Sequence, residues 1–116
     1  MLVACYAIML PQELIINNPE LIYIYDNEKV EEMRTDVTFK NKMTGFIYLH
    51  FNMYENLHVQ FLSKSAFSAE KQKKVWEEYI KKIFETKLAI EVWEDNKNLY
   101  DTEFSKYMNV LIKKTT

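Results

Sequence analysis

Residues 46–62, F-I-Y-L-H-F-N-M-Y-E-N-L-H-V-Q-F-L, carry the alternation that most narrows what this chain can fold into. Ile47, Leu49, Phe51 and Met53 alternate with Phe46, Tyr48, His50 and Asn52. After Tyr54-Glu55-Asn56 the alternation resumes, with Leu57, Val59 and Phe61 set against His58, Gln60 and Leu62. A period of two is the signature of a strand whose faces differ. Pairing Met53 with Leu57 predicts a β-hairpin over 46–62. Its first face is aliphatic and phenyl. Its second gathers Tyr48, His50, Asn52, His58 and Gln60, including both histidines of the chain.

The flanking segments read as partners for that hairpin. Leu2–Leu10 is apolar on both alternating sets, which suits a strand buried on both faces. Pro11 is placed to open a single helical turn that Asn17-Asn18-Pro19 ends. Leu21–Tyr25, L-I-Y-I-Y, has strand composition. A helix capped by Asn18 with Pro19 in its first position competes for the same residues, so 19–34 reads either as one helix or as strand plus helix. Asp26 or Asn27 caps a short acidic helix through Met33, with Val30 and Met33 inward. Val37–Lys40 reads as a strand, with a turn at Asn41–Gly45, and Leu88–Glu94 alternates as a further strand.

Two segments have helical periodicity. From Ser68, residues 69–86 place Val75, Trp76, Tyr79, Ile80, Ile83 and Phe84 on one stripe. From Asn98 or Asp101, a last helix over about 99–114 carries Phe104, Tyr107, Met108, Leu111 and Ile112. The expected fold is therefore α+β. A single domain over 1–116 holds an antiparallel or mixed sheet of about five strands, covered on one face by these two helices. The Tyr48/His50/His58 face is left open.

Composition removes several function classes. A single glycine excludes the phosphate-cradling loops of nucleotide-binding folds, which need several. A net charge of −2 disfavours a general nucleic-acid binder. Cys5 stands alone, so the chain contains no internal disulfide and a cytoplasmic setting fits. No stretch is long and apolar enough to read as a membrane span. The basic residues are 14 lysines and one arginine, a usage that suggests AT-rich codons, as in a low-GC bacterium or a phage or other mobile element. Acidic residues concentrate in Asp26–Asp36 and Glu91–Glu103, which read as solvated faces or as rims for a basic partner.

The residues with chemical potential are few. In the hairpin register His50 and His58 are diagonal neighbours about 7 Å apart, a spacing suited to an acid–base pair acting on a phosphodiester. No third catalytic group accompanies them. Asn52 and Gln60 are poor metal ligands, so neither a metal nor a cofactor is expected. Trp93 shares a strand face with Glu91 and, if exposed, is suited to be a binding hot spot. The expected function is a non-enzymatic interaction protein docking on a larger protein partner, of the inhibitor, immunity or anti-defence kind. Its binding residues are Tyr48, His50, Asn52, His58, Gln60 and Trp93, and the same face offers a surface for homodimerisation. The alternative is a nucleotide-directed protein, a phosphodiesterase or a nucleotide sequesterer, using His50 and His58.

Overall fold

In the computed structural model, which describes residues 11–59 and 69–115, every regular element is helical and there is no strand among the described residues. The α+β expectation is thus overturned, and with it the hairpin over 46–62 and the strands at 21–25, 37–40 and 88–94. The buried strand expected at 2–10, Cys5, Gln60 and the Ser68 cap lie outside the described residues. In chain order the elements are α1 (residues 11–17), a 3₁₀ segment (Pro19–Tyr25), α2 (Asn27–Glu32) and α3 (Val37–Leu57). They are followed by α4 (Ala69–Ile83), α5 (Lys87–Asn96), a second 3₁₀ segment (Lys97–Leu99) and α6 (Thr102–Thr115).

The 21-residue α3 spans both the expected strand at 37–40 and most of the hairpin. Its buried side chains are Met43, Phe46, Ile47, His50, Phe51, Tyr54 and Leu57. Their offsets of three and four residues make one continuous stripe along a helix. A strand would split that set between opposite faces, with Phe46, His50 and Tyr54 on one and Ile47, Phe51 and Leu57 on the other. The helix buries all seven toward one side. Its start is set by Asp36, whose side chain accepts from the Phe39 N–H at 3.0 Å. The expected turn at Asn41–Gly45 is helix interior, and no glycine has positive φ.

The same logic turns 88–94 from strand to helix. Leu88, Ala89, Val92 and Trp93 are the buried residues of α5, adjacent pairs one turn apart. Thr86 begins this helix. Its hydroxyl donates to the Ile83 carbonyl at 2.8 Å and accepts from the Ala89 N–H at 3.2 Å. One buried side chain thereby ends α4 and starts α5. The acidic helix, the helix near 69–86 and the last helix agree with their sequence patterns. Asp26 caps α2 by accepting from the Lys29 N–H, and Asp101 caps α6 by accepting from the Phe104 N–H.

The helices close around α3. It packs on α5 and on the first 3₁₀ segment, while α4 packs on α6 and α2 on α5. At the centre Trp93 is fully buried. Its ring lies 5.4 Å from Phe51, 6.3 Å from Phe84, 5.4 Å from Tyr100 and 5.9 Å from Phe104, centroid to centroid. Its indole N–H donates to the Asn109 side-chain oxygen at 2.9 Å, so the buried polar atom is satisfied.

The acidic stretches of the sequence are used locally. Besides the caps at Asp26, Asp36 and Asp101, Glu31 and Glu91 both meet Arg34, at 3.1 and 2.8 Å. Solvent screens such exposed pairs, so they add little to stability. Among the described residues, no helix is long and apolar enough to cross a membrane.

Gly45 provides a direct check on the helical assignment. It is exposed in mid-α3, and a Cβ added there would meet nothing within 4 Å. Gly45→Ala is expected to raise unfolding stability by about 0.5–1 kcal/mol in urea denaturation, through helix propensity alone. A loss of stability would contradict a helix through this position.

Candidate functional site

The residues expected to share one sheet face are dispersed over different surroundings. In a helix, eight residues separate His50 and His58 by about 12 Å along the axis rather than by the 7 Å of a strand diagonal. His50 faces inward and is 4% exposed. His58 caps the C-terminal end of α3, tilted against Phe104 and Tyr107 at centroid distances of 5.6 and 5.1 Å. The two imidazoles line different depressions and do not assemble an acid–base pair.

The other expected binding residues lie in separate surroundings. The exposed Asn52 accepts a hydrogen bond from the Tyr100 hydroxyl at 3.3 Å. One turn further along α3, Glu55 accepts from the backbone N–H of Asp101 at 2.9 Å. Together they hold the junction between the second 3₁₀ segment and α6. Trp93, suited to be a hot spot only if exposed, is buried at the centre of the core. Tyr48 is half-buried on the flank of α3. No group of three or more His, Cys, Asp or Glu side chains among the described residues is placed to hold a metal ion.

What the fold builds instead is an aromatic cleft beside His50. Its volume is about 230 Å³. α3 supplies His50, Met53 and Tyr54, α4 supplies Trp76, Tyr79 and Lys82, the first 3₁₀ segment supplies Ile22 and Tyr25, and α1 supplies Ile15. The cleft arises because the 3₁₀ segment, with φ preset by Pro19, crosses α3 and buries only Leu21 and Ile24. The intervening Ile22 and Tyr23, and Tyr25 after them, are left at the surface.

His50 is held in one tautomer. Its Nδ1 lies 2.8 Å from the Phe46 carbonyl oxygen, which can only accept, so the Nδ1 proton donates to it. Nε2 is then a lone-pair acceptor. No partner meets Nε2 among the described residues, and no fully buried side-chain polar atom there is unpartnered. His50 itself lines the cleft, and Nε2 is the ring nitrogen that the Phe46 carbonyl leaves free to accept. The ring is steadied by Phe46 edge-on at 4.5 Å and Tyr54 at 5.8 Å. Burial pushes the imidazole pKa below its ordinary 6.5, partly opposed by the bond to Phe46. Burial likewise raises the Tyr54 and Tyr25 phenols, so both stay protonated. At the mouth, the Lys82 ammonium sits 5.5 Å from the centre of the Tyr25 ring.

A second depression, about 780 Å³ and wide open, lies between His58, α4 and α6. Its charges are mixed, with Lys73, Lys106 and Lys114 facing Glu77, Asp101 and Glu103. The Tyr107 hydroxyl is committed to Glu77 at 2.9 Å. Burial lowers the His58 pKa, while Asp101 and Glu103 oppose that shift. The mixture favours no particular ligand charge.

Comparison of the chain with protein-family models, with curated proteins and with solved structures finds no match.

The depressed histidine pKa values make stability fall on the acid side of neutrality. The unfolded chain takes up protons first as pH drops below about 6.5, so the contribution is complete above that value and is lost below it. Urea denaturation is expected to show stability declining from pH 7.5 to 5.5, with a shallower decline in His50→Gln. Equal slopes in the two proteins would contradict a buried, neutral His50.

Proposed function

We propose that this chain is a non-enzymatic interaction protein, of the inhibitor, immunity or anti-defence kind, that docks on a larger protein. The docking face is formed by the first 3₁₀ segment together with the adjoining surfaces of α1 and α4. One observation carries the reading: Ile22 and Tyr23, 56% and 43% exposed, stand side by side on a short element where the chain has a free choice of polar residues. Tyr25 and Tyr79 are also partly exposed, and Ile22, Tyr25 and Tyr79 all border the same cleft. Single exposed apolar side chains are ordinary, whereas a grouped aromatic and β-branched set is the composition of a contact surface.

The charges at the edge indicate the partner's character. Lys29 lies 5.5 Å from the Tyr23 ring centre, and Lys82 stands equally close to Tyr25. A partner presenting apolar side chains ringed by acidic ones matches that edge. Both lysines adjoin the aromatic rings themselves.

The test is partner capture by the purified chain, wild type against Ile22→Asp/Tyr23→Ala. The double variant is expected to lose capture at least tenfold while its melting temperature stays within a few degrees, since both side chains are exposed. Leu99→Asp, which alters an even more exposed apolar residue on the second 3₁₀ segment, is expected to capture normally. Undiminished capture by the double variant would overturn this docking face. Sedimentation of the same proteins tells hetero-association from self-association, because a homodimer through this face would dissociate in the double variant.

A further inference from the structure

The His50 cleft has the features of a ligand site in its own right, independent of any docking on the surface around it. It is walled by flat rings, with Trp76 and Tyr54 6.5 Å apart and Trp76 and Tyr79 6.1 Å apart between centroids. Ile15, Ile22 and Met53 supply aliphatic walls. The space suits one ring system, being smaller than the 300–1,000 Å³ typical of drug-sized ligand pockets. The imidazole of His50, 4% exposed, lines that space and carries at Nε2 a lone pair that meets no partner among the described residues. At its mouth stands Lys82, whose ammonium has no carboxylate within ion-pairing distance among the described residues.

We propose that this cleft binds a single aromatic ring that carries an O–H or N–H donor at one edge and an anionic group at the other. The donor hydrogen bonds to His50 Nε2, the ring packs among Trp76, Tyr54 and Met53, and the anion meets Lys82. The donor is required because Nε2 accepts only. A ligand without one leaves a buried acceptor desolvated and unpaired, which is the strongest kind of discrimination a small pocket makes. A cationic ligand is disfavoured by the lysine at the entrance. The same chemistry is offered by a free aromatic acid and by a tyrosine or tryptophan side chain beside an acidic residue.

The experiment uses a matched set of probes on the full chain, read by calorimetry and by the ¹⁵N shift of His50 Nε2. The probes are 4-hydroxyphenylacetate, phenylacetate, which lacks the donor, and 4-hydroxyphenylacetamide, which lacks the charge. The hydroxylated acid is expected to bind at least tenfold more tightly than phenylacetate and to move the Nε2 resonance. Lys82→Met is expected to remove the preference for acid over amide while keeping the preference for the hydroxyl. His50→Phe is expected to abolish the hydroxyl preference. The wild-type probe pair and the ¹⁵N shift remain decisive even where that variant folds poorly. Equal binding of hydroxylated and plain phenylacetate, or binding of neither, would overturn the proposal.

A second arm identifies the source of the ring, comparing blocked dipeptides Tyr-Asp and Phe-Asp with the free acids. Preferential binding of Tyr-Asp supports the site with a partner's side chain as its occupant. Exclusion of both dipeptides, alongside binding of 4-hydroxyphenylacetate, supports it with a free aromatic acid. Neither arm depends on partner capture, so the cleft and the docking face succeed or fail separately.

Discussion

Burial of Trp93 is the constraint from which the arrangement of helices follows. Its ring contacts come from α3 (Phe51), the residue after α4 (Phe84), the linker to α6 (Tyr100) and α6 itself (Phe104). A residue of this size buries roughly 150–250 Å², and aromatic pairs add about 0.5–1.5 kcal/mol each beyond that area. The exposed ion pairs are screened by solvent, so the ring cluster outweighs them in setting how the helices meet. The indole N–H would be costly to bury alone, and the bond to Asn109 sets the register of α6 against α5. With those elements in place, Asn52 and Glu55 on α3 can reach Tyr100 and Asp101.

The sequence contains two compatible patterns over 46–57, and composition favours the one the fold does not use. Ile47, Leu49, Phe51 and Met53 alternate, and β-branched and aromatic residues suit strands. Yet Met43, Phe46, Ile47, His50, Phe51, Tyr54 and Leu57 also lie on one helical stripe. Two features separate the patterns. The helical stripe persists from residue 43 to 57 without interruption, longer than an ordinary strand. A three-stranded meander would also need turns, and a chain with one glycine has little turn chemistry to make them. The segments whose outer faces are charged, 69–86 and the C-terminal one, gave the right element type because lysine and glutamate make their stripe unambiguous. α3 and α5 are buried more broadly, so the polar half of their pattern is faint.

The site was legible in its ingredients rather than in its geometry. The alternation places His50 on a sheet face, whereas the fold makes it a buried imidazole beside a cleft. Helical spacing puts Tyr79 on the core stripe of its helix, while the fold leaves it partly exposed as a cleft wall. The available signal was the run L-I-Y-I-Y after Pro19. Five apolar residues on a segment too short to bury all of them imply that some must face outward. Which ones do so depends on the 3₁₀ geometry, where residues three apart, Leu21 and Ile24, share a side.

The cleft inherits its rigidity from the core by adjacency along one helix. Phe51 is locked against Phe84 and Trp93, and His50, its neighbour, projects about 100° around the helix axis toward the cleft. A side chain on a well-packed helix is positioned more tightly than one on a loop, so the acceptor needs no ligand to orient it. The tautomer is part of the same arrangement, because the Phe46 carbonyl that takes the Nδ1 proton belongs to α3 itself. A protonated imidazole would donate from both nitrogens and could no longer accept. The burial that weakens the protein in acid is therefore also what preserves Nε2 as an acceptor near neutral pH.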